Sequence, residues 1–221
     1  MLQSITLKSH YDVVIVGGGQ AGLSVSHYLK QAKIDHVVLE KEDCLTHSWR
    51  KKRWDNFTLV TPNWQCLLPD HPYHGHDPDG FMKREEIVEY LDGFIENLSP
   101  PAILNVTVEQ ISKIAEQHFH IQTSIGKTTA NQVVIAAGGY HTPIYPKLSS
   151  ELPEHVYTIH SEQYFNPEQL PEGNVLVVGS GQSGAQIAED LHLAGKKVYL
   201  SIGDAPRCAR FYRGKDVVKW L

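Results

Sequence analysis

Two copies of one glycine pattern constrain the fold of this chain more than any other feature. GGGQAG spans residues 17–22, GSGQSG spans residues 179–184, and both fit G-x-G-x-x-G. Each copy follows a short β-branched apolar run and opens an amphipathic segment, which is the strand–turn–helix context that supports the motif. Its first glycine permits the tight turn, the second lets a pyrophosphate approach the backbone, and the third lets the helix pack on the sheet. The sequence therefore predicts two nucleotide-binding βαβ units.

The strand that follows each glycine pattern indicates which dinucleotide binds there. The first such strand ends on Glu40, whose carboxylate can accept both ribose hydroxyls of an adenosine and favours FAD or NAD. The second ends on Ser201, with Arg207 and Arg210 shortly after, and two arginines suit the 2′-phosphate of NADP. Two surface arginines without a ligand are the alternative. The economical interpretation is one flavin that accepts hydride from NADPH.

The segments between the two units complete a mixed α/β pattern. Residues 83–98 carry apolar side chains at helical spacing and predict an amphipathic helix. Three successive segments before residue 138 predict an antiparallel meander, with a buried parallel strand over residues 133–136. Residues 42–80 have turn signals and predict mostly loop, and prolines between residues 143 and 171 indicate a linker.

These patterns together predict an α/β fold with two nucleotide-binding parts. We expect an FAD-binding, Rossmann-like three-layer domain with an antiparallel β-meander over residues 1–146. A linker over 147–172 would lead to a partial second Rossmann domain, which binds NAD(P), over 173–221.

Composition limits the class of protein further. Hydrophobic residues make up 41% of the chain and charged residues 20%, which is ordinary for a soluble globular protein. The net charge of −5 gives no indication of a nucleic-acid surface. The first apolar stretch, residues 13–16, is too short for a signal peptide or a membrane span. We therefore expect a cytoplasmic protein with no membrane or nucleic-acid partner.

Cysteine and histidine usage argues against a metal site. Three cysteines are present without a Cys-x-x-Cys pair, which argues against a disulfide framework and a structural zinc site. HPYHGHDPDG over residues 71–80 gathers histidines and aspartates, but its spacing fits no metal motif, and a polar loop with a Pro-Asp-Gly turn is the simpler interpretation. The sequence thus predicts no metal site.

Several stretches resemble the class B flavin-dependent monooxygenases, which include bacterial CzcO-like flavoproteins and plant indole-pyruvate monooxygenases. VVLEKEDCLTHSW, FTLVTPNWQCLLPD and VVIAAGGYHTPIYP are close to motifs of that family, and the resemblance runs through nearly all of the chain. Thr46 and His47 stand where the family has glycines, and Ala137 replaces a threonine of its hinge. Half of the signature F-x-G-x-x-x-H-x-x-x-[YW] is present, at His160 and Tyr164.

The resemblance implies a monooxygenase mechanism and a set of cofactor-binding residues. Trp49 would approach the flavin, and Val108 would touch the adenine through its backbone. Hydride would pass from NADPH to FAD, and a C4a-peroxyflavin would oxygenate a small organic substrate without a protein nucleophile. The expected residues for FAD are Gly17, Gly19, Gln20, Ala21, Gly22, Glu40, Lys41, Trp49, Val108, Ala137 and Gly138. Those for NADPH are Gly179, Gly181, Gln182, Ser183, Gly184, Ser201, Arg207 and Arg210.

Two other functions stay open at this point. A flavin disulfide reductase shares the two-site layout, but it needs a redox-active cysteine pair, and Cys44 and Cys66 are not closely spaced. The other is an inactive FAD-binding protein, or one half of a split flavoenzyme whose second chain supplies the missing C-terminal part. Its support is that the second unit has only about 50 residues, too few for a well-buried core, and two of the three strands of a βαβαβ half.

Overall fold

The computed structural model describes residues 6–140, 142–204 and 209–220. The chain divides into two compact units, each built from several segments. Unit 1 comprises Met1–Lys51, Leu67–Pro72 and Val88–His141, and unit 2 comprises Lys52–Cys66, Tyr73–Ile87 and Thr142–Leu221. The units therefore interleave along the chain, whereas the expected domain boundaries at residues 146 and 172 are linear and stay predictions.

Unit 1 contains the first predicted βαβ unit and the predicted meander. Its elements in chain order are β1 (His10–Val16), α1 (Gln20–Gln31), β2 (His36–Leu39), α2 (His47–Lys51), β3 (Leu67–Leu68), β4 (His71–Pro72), α3 (Arg84–Leu98, whose first residues belong to unit 2), β5 (Ala102–Ile103), β6 (Val108–Ala115), β7 (His118–Thr123) and β8 (Gly126–Ile135). The helix predicted over 83–98 is confirmed to within one residue. The expected loop over 42–80 also contains α2, β3 and β4, which are too short to give a periodic pattern.

Six strands of the described part of unit 1 form one mixed sheet in the order β5-β2-β1-β8-β7-β6. β1 pairs in parallel with β2 and β8, and β7 pairs antiparallel with β6 and β8. The first half of β8 therefore belongs to the meander, and its second half runs beside β1. The α/β class and the antiparallel meander are confirmed, and the parallel strand predicted over 133–136 is the end of the third meander strand.

β1 is buried on both faces of this sheet. Successive strand residues point to opposite faces, so Val14 packs with Ile121 of β7, and Ile15 packs with Val25 of α1. Both β1 side chains are fully buried. Two apolar cores, one on each face, explain why this strand reads as an uninterrupted apolar run.

Unit 2 contains the second predicted βαβ unit. β9 (Val175–Val178), α4 (Gln182–Leu193) and β10 (Val198–Ser201) follow one another, and the two strands pair in parallel. β11 (Phe211–Tyr212) and β12 (Lys215–Asp216) then form a short antiparallel pair. Among the residues that the structure describes, no third parallel strand joins β9 and β10. Across the same residues, every helix is too short or too polar to cross a membrane.

A buried aromatic and polar cluster joins the segment 52–66 to the rest of unit 2. Trp54 packs with Tyr164 and Leu191. The Tyr164 hydroxyl donates to Asp190 Oδ2 at 2.6 Å, and Asn56 Nδ2 donates to Asp190 Oδ1 at 2.6 Å. Burial, together with the Asp190 carboxylate, raises the pKa of Tyr164 far above its ordinary value, so the phenol stays a donor. These contacts explain why residues distant in sequence form one unit.

Two leucines of α4 test this packing. Leu191 is 1% exposed and Leu193 is 79% exposed, and both changes to alanine keep the helix propensity high. We expect Leu191→Ala to lower the free energy of unfolding by about 2–5 kcal/mol because it opens a cavity, and Leu193→Ala to change it by less than about 0.5 kcal/mol. Urea unfolding followed by tryptophan fluorescence measures both. Equal losses in the two variants would contradict the described burial of α4.

Candidate functional site

The first glycine turn, Gly17–Gly22, connects β1 to α1. Gly17 has φ +108°, and its N–H donates to the Leu39 carbonyl at 2.9 Å. A Cβ on Gly22 would lie 2.1 Å from the Gly17 carbonyl oxygen, whereas a Cβ on Gly19 would meet no heavy atom of the described residues within 4 Å. Two positions of the turn are therefore closed by backbone, and the third opens beside the N-terminus of α1, where N–H groups favour an anion.

Glu40 lies directly after β2 and beside the first glycine turn. Its buried carboxylate accepts the N–H of Gly18 at 2.6 Å through Oε2 and the N–H of Glu42 at 3.0 Å through Oε1. Each carboxylate oxygen can accept a further hydrogen bond. The side chain is thus fixed by the backbone around it while it keeps the capacity to hold ribose hydroxyls.

Other residues expected at FAD lie on segments next to Glu40. The Val106 N–H donates to the Glu40 carbonyl at 2.9 Å, and Val108 begins β6 two residues later. Ala137 and Gly138 are exposed directly after β8, and the Ala136 N–H donates to the Val16 carbonyl at 2.8 Å. These contacts bring Val108 and the segment after β8 to the end of the sheet at which the first glycine turn lies.

The remaining FAD expectations fall on α1 and on the loop after β2. Gln20 and Ala21 begin α1 and are exposed. Lys41 is exposed, with Nζ 3.6 Å from Glu42 Oε1. Trp49 lies half-buried in α2, and its N–H donates to the Thr46 carbonyl at 2.9 Å. Binding of a flavin by these side chains stays a prediction.

Thr46 shows why a glycine is preferred at its position. Its φ is +57°, in the left-handed region that glycine enters without a steric cost. Thr46 is buried, and its N–H donates to the Gly18 carbonyl at 2.9 Å. This hydrogen bond holds the loop against the first glycine turn, so the unusual conformation is kept although a threonine occupies the place.

The second glycine turn, Gly179–Gly184, repeats the geometry of the first. Gly179 has φ +103°. A Cβ on Gly184 would lie 1.9 Å from the Gly179 carbonyl oxygen, and a Cβ on Gly181 would meet nothing within 4 Å among the described residues. Gln182 and Ser183 begin α4 and are exposed. The two turns thus share a positive φ at the first glycine, an open second glycine and a third glycine closed by backbone.

The second unit places Ile202, and not Ser201, where the first places Glu40. The Gly17 N–H donates to Leu39, and the Gly179 N–H donates to the Ser201 carbonyl at 3.1 Å, so Ser201 corresponds to Leu39. Ile202 is 61% exposed. The prediction from the sequence compared the last residue of each strand and therefore missed Ile202. The spacing from the glycine turn identifies it, because Glu40 and Ile202 both lie 23 residues after the first glycine of their turn.

The structure describes only one of the two arginines expected at a 2′-phosphate. Arg207 lies outside the described residues. Arg210 Nε lies 2.9 Å from the carboxylate of Asp216, which is buried, and its guanidinium stacks 4.1 Å from the centre of the Phe81 ring. These contacts give Arg210 a structural role in unit 2, which favours the alternative of an arginine without a ligand. Its contact with a phosphate stays a prediction.

Among the described residues, Cys44 and Cys66 lack the environment of a redox-active thiol pair, and His160 has a structural contact. Burial raises the pKa of both Cys44 and Cys66, and the Asp43 carboxylate raises that of Cys44 further. Raised pKa values disfavour the thiolates that a disulfide reductase uses. His160 Nδ1 accepts the Glu162 N–H at 3.1 Å and caps a short helical turn, which accounts for this histidine structurally.

Two alanine substitutions in the first glycine turn test which of its glycines the fold requires. Gly22→Ala places a methyl group against the Gly17 carbonyl, so we expect a loss of about 1–3 kcal/mol in the free energy of unfolding. Gly19→Ala adds a methyl group in open space at the helix N-cap, where we expect a loss below about 1 kcal/mol. Thermal unfolding followed by circular dichroism compares them. A Gly19→Ala variant that is as destabilised as Gly22→Ala would contradict the geometry.

Comparison with known proteins identifies the family of this chain. The sequence profile of the family described as pyridine nucleotide-disulphide oxidoreductase matches residues 14–220. An uncharacterized CzcO-like oxidoreductase of Geobacillus kaustophilus is 40% identical over 214 residues, which is 95% of this chain and 60% of that protein. Indole-3-pyruvate monooxygenase YUCCA6 of Arabidopsis thaliana is 28% identical, over 94% of this chain and 53% of that protein.

A solved structure extends the similarity to the fold. The flavin-containing monooxygenase from Stenotrophomonas maltophilia has a TM-score of 0.77 and 26% identity, over 92% of this chain and 61% of that one. The chain thus spans between 53% and 61% of the length of these proteins. The relatives are those that the sequence motifs indicated, and the chain belongs to the pyridine nucleotide-disulphide oxidoreductase family.

Proposed function

We propose that this chain is an FAD-dependent, NADPH-using oxidoreductase of the flavin monooxygenase type. The observation that carries the proposal is the pair of glycine turns. Each has a positive φ at its first glycine, backbone contact at its third and open space at its second. An open glycine at a helix N-terminus is the requirement for bringing a pyrophosphate against the backbone. Two such turns in one chain suit two dinucleotides that exchange a hydride.

FAD is assigned to the first glycine turn because of Glu40. The buried carboxylate is held by two backbone N–H groups and would receive the ribose hydroxyls of the adenosine half. An acid at this position repels a 2′-phosphate, so NADPH is disfavoured here. The chain's part is to hold the adenosine and the pyrophosphate, and the bound flavin supplies electron transfer and the reaction with dioxygen.

NADPH is assigned to the second glycine turn because the position equivalent to Glu40 is an exposed isoleucine. Ile202 brings no negative charge toward a 2′-phosphate and offers no acceptor to a ribose hydroxyl. The neighbourhood also contains Arg210, although this side chain pairs with Asp216. The proposal therefore rests on the absence of an acid at residue 202 more than on an arginine clamp.

Oxygenation of a small organic molecule is favoured over disulfide reduction. Burial raises the pKa of the Cys44 and Cys66 thiols, and neither belongs to a Cys-x-x-Cys pair. A flavin disulfide reductase needs a reactive thiolate pair to receive the electrons. The similarity to a flavin-containing monooxygenase supports the same choice.

One observation favours a second candidate, an FAD-binding chain that acts only together with a second polypeptide. The β9–β10 pair leaves large apolar side chains exposed, among them Leu176 and Val178. Such apolar surface on a small sheet usually contacts another protein segment. In this candidate, a second chain would supply the part that relatives carry beyond the matched 60%.

Absorbance spectroscopy of the purified chain separates the two candidates. The proposed oxidoreductase binds FAD and shows the flavin band, and NADPH added without air bleaches it. A chain that takes up FAD but does not bleach supports the second candidate. The Gly19→Ala variant is the control for the site, because its methyl group would stand where the pyrophosphate approaches and should weaken FAD binding. Flavin uptake that is unchanged in this variant would contradict the assignment.

A substitution at residue 202 tests the nicotinamide assignment. Ile202→Glu supplies the acid that Glu40 supplies in the first unit, so we expect the ratio of NADPH to NADH affinity to fall about 10-fold or more, which corresponds to about 1.4 kcal/mol. Calorimetric titration with each nucleotide measures the ratio. Ile202→Gln has a similar size without the charge and is the matched control. An equal change in the Glu and Gln variants would argue against a 2′-phosphate at this place.

A further inference from the structure

A cluster of metal-ligand side chains lies on the loop after β2 and on the first residue of α2, outside the two glycine turns. Cys44 Sγ is 3.6 Å from His47 Nδ1, and Asp43 Oδ1 is 3.5 Å from the same nitrogen. The three ligand atoms all lie within 4.8 Å of one another. A thiol, an imidazole and a carboxylate are the three ligand types that zinc takes in proteins.

These two distances, from His47 Nδ1 to Cys44 Sγ and to Asp43 Oδ1, are those of neighbouring ligands in a tetrahedral zinc site. With Zn–S near 2.3 Å and Zn–N or Zn–O near 2.1 Å, tetrahedral angles separate neighbouring ligand atoms by about 3.4–3.6 Å. Both contacts converge on one nitrogen of His47. An ion between these atoms would therefore require little rearrangement beyond rotation of Asp43, whose side chain is 72% exposed.

The backbone of this segment is held just before the cluster and within it. The Glu42 N–H donates to Glu40 Oε1 at 3.0 Å, and the Glu42 carbonyl accepts the Asn105 N–H at 3.0 Å. Between Cys44 and His47, the Thr46 N–H donates to the Gly18 carbonyl at 2.9 Å. The loop positions its side chains before any ion arrives, which lowers the entropy that binding has to overcome.

The second nitrogen of His47 faces another carboxylate. His47 Nε2 lies 3.9 Å from Glu42 Oε2. Histidines that ligate a metal commonly give their other ring N–H to a carboxylate, which fixes the tautomer and orients the ring. Glu42 lies slightly beyond hydrogen-bond distance from this nitrogen, and a small rotation of its side chain would bring the carboxylate within reach of the N–H.

We propose that Asp43, Cys44 and His47 form a binding site for a zinc-type divalent cation, with Glu42 as the positioning residue. Ligation by sulfur and imidazole selects zinc or cobalt over magnesium and calcium, which prefer oxygen ligands. The thiol proton leaves to solvent as the metal–sulfur bond forms. Three protein ligands leave a fourth position open to water or to another ligand. The sequence alone predicted no metal site.

Cobalt is the probe for the experiment because it adopts the same geometry and absorbs light. The purified chain, freed of metal by a chelator, is titrated with Co²⁺. We expect one ion per chain, a thiolate-to-cobalt charge-transfer band and intense tetrahedral d–d bands, all of which Zn²⁺ removes by competition. These readouts do not depend on flavin or NADPH, so they succeed or fail separately from the proposed oxidoreductase activity. A chain without the charge-transfer band would overturn the proposal.

Variants identify the ligands. Cys44→Ser should abolish the charge-transfer band, His47→Ala should abolish the tetrahedral bands, and Glu42→Gln should weaken Zn²⁺ binding about 10-fold. Cys66→Ser removes a thiol of unit 2 and should leave the spectrum unchanged. A band that survives Cys44→Ser would overturn the assignment. If that variant does not fold, alkylation of the wild-type chain decides: protection of Cys44 by Zn²⁺ supports the site, and unchanged modification overturns it.

Discussion

The close approach of α1 to the end of β1 is the constraint on which the rest of unit 1 depends. It is possible because Gly22 has no side chain where the Gly17 carbonyl oxygen lies. That approach sets α1 on the sheet, so that Ile15 packs under Val25. It also points the first N–H groups of the helix at the open side of the turn. A single steric requirement thus connects the packing of the core with the place where an anion can bind.

The two glycine turns are similar in backbone and different in their surroundings. In unit 1 the buried carboxylate of Glu40 lies beside the turn, and two backbone N–H groups hold it in place. In unit 2 the same position is Ile202, which is exposed. A pyrophosphate contacts only the turn and the helix N-terminus. The charge at this one position discriminates between a free ribose and a 2′-phosphate. The difference between the two proposed cofactors therefore depends on a single pair of residues.

The loop after β2 connects several features that the sequence presents separately. Together with α2 it contains Glu40, the cluster at residues 43–47 and Trp49, and the N–H of Thr46, which has a left-handed conformation, holds it to Gly18. A residue other than glycine in that conformation costs free energy, which the hydrogen bond to Gly18 offsets. A cation at Asp43, Cys44 and His47 would further fix this loop. Metal binding would then order the segment beside the first glycine turn, in addition to the hydrogen bonds that already hold it.

The sequence by itself determined the local elements and the two glycine turns. Glycine spacing, apolar strands and the helix over 83–98 follow from steric rules and periodicity that act within a few residues. Tertiary structure decided what depends on distant residues: the burial of Trp54 against Leu191 and the passage of β8 from the meander to the parallel sheet. It also decided the pairing of Arg210 with Asp216 and the convergence of Cys44 and Asp43 on His47. Local patterns do not encode those contacts, because side-chain direction in a loop is set by the hydrogen bonds that hold its backbone.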